Sequence, residues 1–252
     1  MGSSLSLFTN VGPIPPQYQV FINFRGEKLR DRFLGFLVDA LLEENVNVFI
    51  DDHELRGKDL DHLFNRIEES RVALTIFSKN FTESRWCLDE LAKIKECVEE
   101  GSLTVIPIFF KMKTDDVKKL KGKFGDNFRD LKSTHRGEPE TFRRWKEAMF
   151  CVSRNVGLSS SRYSRQNDLV RTIVEEVKKV LKDISESERK IFEAERNQLA
   201  ARTDEVIRVV IRFLSLFLLF TIVFGPYGLV LMSVFSIPLG HFIINRAVES
   251  EW

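Results

Sequence analysis

The sequence predicts an open, doubly wound α/β fold on a parallel sheet, continued by a helical linker and a C-terminal membrane segment. Three observations carry that prediction. Short apolar runs rich in β-branched and aromatic residues alternate with helical periodicity as far as Phe110. Those runs are continuously apolar rather than alternating, which suits strands buried on both faces of a parallel sheet. Finally, no Asp, Glu, Lys or Arg occurs from Phe213 to Ile244, although charged residues make up 30% of the chain.

Taken in order, residues 1–17, with Ser, Gly and three Pro, read as a flexible arm. Gly2 followed by Ser6 fits the N-myristoylation pattern, and an ordinary unstructured start is the other reading. The strands then follow as YQVFIN from Tyr18, NVFI from Asn47, VALTIF from Val72 and LTVIPIFF from Leu103. Between the first two, Leu29, Phe33, Phe36, Leu37, Ala40 and Leu41 recur at helical spacing and leave Lys28, Arg32, Asp39 and Glu43 to solvent. A shorter helix fits Leu60 to Ser70, and a third fits Trp86 to Glu100 with Leu88, Leu91 and Val98 inward.

Beyond Phe110 the pattern weakens into a Lys-rich stretch, 111–123, that reads either as a solvated loop or as a phosphate-binding surface. Helical spacing returns from Pro139 to Val156 through Phe142, Trp145, Met149 and Val152. The globular domain is thus expected over 18–158. Residues 159–212 form a linker: SSSRYSRQN, then an amphipathic helix from Leu169 to Ile184, then a charged helical stretch from Glu186 to Arg212.

The uncharged run, 213–244, exceeds the ~20 residues a helix needs to cross a bilayer core. GPYG from Gly225 and Pro238 interrupt it, so it reads as one kinked span or as a hairpin turning at Pro226, before a short tail, 245–252. Arg202, Arg208 and Arg212 ahead of the run outweigh Arg246 after it, which sets the globular domain on the cytosolic side. No cationic segment leading into an apolar stretch near Met1 argues for secretion. The expected location is a cytosol-facing anchor in the endoplasmic reticulum or another endomembrane.

Lys+Arg 38 against Asp+Glu 37 leave a net charge of +1, so no overall basic field argues for nucleic acid, and none is expected as a partner. Cys87, Cys97 and Cys151 show no CxxC spacing and read as reduced thiols rather than a disulfide framework or zinc site. His53, His62, His135 and His241 lack metal-ligand spacing, so no metal is expected. The absence of GxxxxGK[ST] disfavours a nucleoside-triphosphate motor.

In open α/β sheets, ligands sit beyond the carboxyl ends of the strands where the strand order reverses; order 2-1-3-4-5 lines that crevice with the loops after strands one and three. Here those loops are FRGEK, from Phe24, and SKNFTESRWCLDE, from Ser78. Gly26 allows close backbone approach to a ligand, and Arg25 beside it suits a phosphate. Trp86 and Glu90, four residues apart, share one side of a helix. A π-face beside a carboxylate suits stacking of an aromatic base and stabilisation of developing positive charge. Taken singly, each has a plainer reading: Glu90 a solvated carboxylate, Trp86 packing at a helix start, Arg25 an ion-paired surface residue, Gly26 a turn.

Together, YQVFINFRGE, FIDDHELRGKDL from Phe49, IEESRVALTIFSKNFTESRWCLDEL from Ile67, VIPIFF from Val105 and KGKFGDNF from Lys121 resemble a plant-type Toll/interleukin-1 receptor (TIR) domain over 18–158. The helix from Asn167 to Leu181 resembles the segment that follows this domain in plant immune receptors. The resemblance implies a flavodoxin-like sheet of five parallel strands. It also implies hydrolysis of the nicotinamide–ribose bond of NAD+, a substrate rather than a cofactor, giving linear or cyclic ADP-ribose-type products in plant immune signal transduction. By the same resemblance Glu90 is the catalytic carboxylate. Phe24, Arg25, Gly26 and Glu27 lie along the nucleotide, and Trp86 stacks on adenine. Gly57 ends a loop through which neighbouring domains assemble and complete the site. The implied partners are further copies of the chain or other TIR proteins.

The chain departs from the family pattern in three places. Lys28 replaces a carboxylate, Gly35 and Phe36 replace a Ser-His pair used in self-association, and KMKTDDVK from Lys111 replaces DVDPSDVR. These departures keep open a second reading, a TIR scaffold that docks onto other TIR proteins without turnover.

Overall fold

Five parallel strands form the sheet: β1 (Val20–Phe24), β2 (Val48–Ile50), β3 (Val72–Phe77), β4 (Thr104–Phe109) and β5 (Leu158–Ser159), in the order β2-β1-β3-β4-β5. The computed structural model describes residues 19–26, 29–50 and 60–248. The four apolar runs become β1 to β4. No apolar run announces β5, whose two residues pair only with Ile108 and Phe109.

Each strand connects to the next through one or more helices, the first connection on one face of the sheet and the others on the opposite face. Helix α1 opens with a wide π-helical turn, Arg30–Leu34, closed by the Gly35 amide donating to Arg30 O, and continues as a regular helix over Gly35–Glu43. The remaining helices are α2 (Leu60–Glu68), α3 (Arg85–Glu99), α4 (Thr114–Lys118), α5 (Gly122–Thr134), α6 (Pro139–Arg154) and α7 (Gln166–Val248). The Lys-rich stretch is therefore not one loop. Val117, Phe124 and Phe128 are buried and anchor α4 and α5, while the lysines between them stay outside or half-exposed.

Alternation along the strands sorts the core into two layers. Phe21, Ala73, Phe77, Val105 and Phe109 face α2, α3, α5 and α6, with Trp145 at 0% exposure between them. Val20, Ile22, Phe24, Leu74, Ile76 and Ile108 face the other way, against Phe33, Leu34, Leu37 and Leu41 of α1. Phe36, expected in this stripe, is 60% exposed. The stripe centres on Leu34, Leu37 and Leu41, and a residue one step before Leu37 falls on its flank.

The first of the chain's two compact units runs through Ser185. The amphipathic helix that the sequence places in the linker beyond residue 158 supplies Leu169, Val170, Ile173, Val174 and Val177 to the second core layer. Its apolar stripe covers the sheet face beside α1. The second unit, from Glu186, carries the remainder of α7. Its helix breaks at Gly225 (φ 56, ψ −150), one residue before Pro226. Proline disfavours helical backbone in the residue ahead of it, and glycine accepts the positive φ that results. An 18-residue window in Gln166–Val223 has mean hydropathy 2.4 with none of it buried, long and apolar enough to cross a membrane.

Candidate active site

The loops after β1 and β3 meet, as the strand order requires. Gly26 takes φ 116, a conformation that side-chain-bearing residues rarely adopt, and its carbonyl accepts from the Leu29 and Arg30 amides at 3.0 and 3.2 Å to start α1. The Ser78 hydroxyl donates to Arg25 O at 3.4 Å, closing one loop on the other. A cavity of about 410 Å³ opens there, with Arg25 and Gly26 on one side, Ser78, Lys79 and Asn80 on another, and Phe110 below. It lies beyond the carboxyl ends of β1, β3 and β4, on the α1 face of the sheet.

Glu90 stands on the opposite face. Ser84 caps α3, its hydroxyl accepting from the Cys87 amide at 3.3 Å. Asn23, buried at the end of β1, donates through Nδ2 to Cys87 O at 3.1 Å, and the Cys87 thiol reaches Phe24 O at 3.1 Å. These contacts lock the first turn of α3 to β1, and Glu90 follows one turn later at 2% exposure. It is not a solvated carboxylate. The outer face of the same turns is held to α6. Arg85 donates to both Glu138 carboxylate oxygens at 2.9 and 2.5 Å, and the Trp145 indole donates to Asp89 Oδ1 at 2.8 Å. The bidentate bond from Arg85 draws the Glu138 carboxyl below its ordinary range.

The sequence-predicted residues are thus divided. Arg25 and Gly26 line the cavity. The Phe24 ring belongs to the second core layer at 3% exposure, under the Arg30 guanidinium at 5.5 Å, because alternation along β1 turns it away from Asn23. Trp86 is half-buried against the first core layer rather than set in the cavity. Glu27 and Gly57 lie outside the described residues. Sequence reasoning missed Asn23, although a lone amide in an apolar strand is itself a signal that a buried polar group needs a partner.

The chain thus combines a parallel sheet of this order, a crevice at its switch point and a buried carboxylate on the helix after β3. The TIR domain family matches residues 17–195, and the chain belongs to it. Vesicle-associated protein 1-4 of Arabidopsis thaliana is 56% identical over 145 residues, covering 58% of this chain and 25% of that protein. Disease resistance protein RPS4 of Arabidopsis thaliana is 49% identical over 179 residues, covering 71% of this chain and 14% of that protein. The chain therefore spans well under two thirds of either relative. Among solved structures, the TIR domains of the activated Roq1 resistosome, which directly recognises the pathogen effector XopQ, align with a TM-score of 0.59 at 35% identity, covering 64% of this chain and 99% of theirs. The domain is of the kind found in plant immune proteins.

Proposed function

We propose that this chain is a TIR-domain NAD+ hydrolase of plant immune signalling, anchored to a membrane through the C-terminal part of α7. One observation carries the reading: Glu90, 2% exposed, is held a single turn beyond the Cys87 that Asn23 ties to β1. A rigidly placed carboxylate at low exposure is the group this chemistry needs. The bond between ribose C1′ and the nicotinamide nitrogen breaks with its electron pair leaving on nicotinamide, which departs neutral. Positive charge spreads over the ribose as in an oxocarbenium ion, and Glu90 stabilises it. Water then bonds to C1′ and releases one proton, giving ADP-ribose; an adenine nitrogen in water's place gives the cyclic product. Arg25 and Gly26 hold the phosphates, Glu27 flanks them, and Trp86 offers its face to the adenine. Gly57 belongs to the loop that a neighbouring domain completes. NAD+ is the substrate, and no cofactor is required.

A second reading, a docking module without turnover, draws on Phe36, which stands 60% exposed on α1 at a position where the family resemblance implies a self-association contact. An apolar ring held in water suits pairing with another TIR domain. Both readings share the anchor, which confines weakly pairing domains to two dimensions and raises their effective concentration. Phe213, Leu214, Leu216, Leu218 and Leu219 are exposed on the helix and suit a lipid environment.

The deciding experiment is nicotinamide release from NAD+ by the full chain in lipid nanodiscs at high surface density, beside Glu90→Ala. Release that disappears in the variant supports the hydrolase. A folded protein that releases none, even mixed with a second plant TIR domain, leaves the docking module. Attaching an N-glycan acceptor after Trp252 tests the anchor: modification in microsomes marks a single span, and its absence from a membrane-bound protein marks a hairpin.

A further inference from the structure

The net charge of +1 conceals a local concentration of cations. Arg25, Arg32, Lys79 and Lys111 all line the 410 Å³ cavity, and among the described residues lining it none is acidic. They come from four separate places: the loop after β1, the π-helical turn of α1, the loop after β3 and the loop after β4. Several cations outside the cavity are paired, as in Arg85 with Glu138, Lys95 with Glu99 and Arg171 with Asp168. Among the described residues, none of the four cavity cations has a carboxylate within ion-pair distance.

Like charges brought together in one cavity repel one another in the folded state, and a bound polyanion reverses the sign of that interaction. The cavity is built to keep them there. The Gln166 amide donates to Arg32 O, fixing the start of α7 against α1. Ser160 Oγ accepts from the Lys111 amide at 2.8 Å, holding Lys111 at φ 53. The Phe110 ring, tilted against Phe33 at 4.8 Å between centroids, forms an apolar floor under the Lys111 ammonium, 5.4 Å from its centre. A second cavity of about 310 Å³ shares Phe110, Lys111 and Gln166 with the first and adds Arg165 and Tyr163. The two adjoin at these shared residues as a crevice, with the cations at one end and an aromatic, partly apolar lining at the other that suits a nucleoside.

We infer that this crevice binds an oligophosphate chain, free or as part of a nucleotide, at a site separate from Glu90. The separation follows from the sheet. Even-numbered residues of β1 face α1 and the crevice, whereas Asn23 faces α3 and the turn that carries Glu90. Arg25, which lines the crevice, is the one cation shared with the proposed NAD+ site; Arg32, Lys79 and Lys111 are assigned to the crevice alone. The inference does not depend on turnover at Glu90.

The test is calorimetric titration of the full chain in nanodiscs with inorganic tripolyphosphate, ATP and adenosine, beside a triple variant, Arg32→Ala, Lys79→Ala and Lys111→Ala. The three side chains are exposed, so the variant should fold, and an unchanged circular dichroism melt checks that it does. Saturable binding of tripolyphosphate, of ATP or of both, weakening as salt rises and falling about tenfold or more in the variant, is expected, with adenosine silent. Binding of tripolyphosphate alone identifies an inorganic ligand, and binding of ATP alone a nucleotide. The same titration of Glu90→Ala should be unchanged, even if the wild-type chain releases no nicotinamide. No binding by either phosphate compound, or binding that survives the triple substitution, overturns the inference. So does a rise in KM for NAD+ in the variant, because the crevice then belongs to the substrate.

Discussion

Asn23 and Cys87 are joined across 64 residues of sequence by the amide of one and the carbonyl of the other, 3.1 Å apart and both buried. Together with the Cys87 thiol contact to Phe24 O, that bond ties the end of β1 to the helix that carries Glu90. A buried polar group that loses its partner costs more than an average hydrogen bond contributes.

Asn23→Ala is therefore expected to destabilise the chain by about 1–3 kcal/mol. Under the hydrolase reading it also slows nicotinamide release by more than the fraction unfolded explains, since α3 loses its register on β1. Urea unfolding followed by fluorescence, paired with turnover measured well below the transition, separates the two effects. A variant with unchanged stability and unchanged turnover would remove the link from the account.

Much of the fold is legible because β1 to β4 are uninterrupted apolar runs and need no partner to be recognised. What is not legible depends on contacts through space. β5 is held by backbone pairing to Ile108 and Phe109 rather than by its own side chains. Val117, Phe124 and Phe128 are spaced among lysines and glycines that mask the helical period of α4 and α5. Glu90 is legible from its spacing to Trp86, but its burial is not, because an acidic residue on a helix surface is ordinarily solvated. The cavity cations are invisible to any window along the chain, since Arg32, Lys79 and Lys111 come together only through the strand order.

Trp145 is the largest fully buried side chain among the described residues, set edge-on to Phe142 at 4.8 Å between centroids and bonded through its indole to Asp89. Trp145→Ala should cost about 3–5 kcal/mol from lost burial and the remaining cavity. Trp145→Phe keeps most of the ring area and gives up the indole bond, so about 1 kcal/mol is expected. Denaturation midpoints at constant slope would read both. An alanine variant as stable as the phenylalanine one would mean that α3 and α6 close over the gap.

The Arg85–Glu138 pair predicts a small acid sensitivity. The hydrogen bond from Arg85 lowers the Glu138 carboxyl in the folded chain relative to the unfolded one. A lowered carboxylate contributes stability above its unfolded value and loses it as pH falls through the folded value. Melting temperature should thus fall less steeply on acidification in Glu138→Gln than in the wild type. The difference is modest because both partners are partly exposed and solvent screens them. Parallel melting curves between neutral pH and about pH 3 test this, and identical slopes would assign the acid response to other carboxylates.

The three thiols should separate by reactivity. Cys97 is fully buried, and burial pushes its thiol up, opposed only in part by the Lys93 ammonium that Glu68 already engages. Cys87 is equally buried under β1, while Cys151 is half-exposed on α6. Alkylation needs the thiolate and a path to it. Iodoacetamide at neutral pH is therefore expected to modify Cys151 first. Cys87 and Cys97 should react only as the domain opens, at rates that rise together with urea. Peptide mass spectrometry over a time course reads each site in one experiment. Early modification of Cys97 would show that α3 opens locally, and with it the turn that holds Glu90.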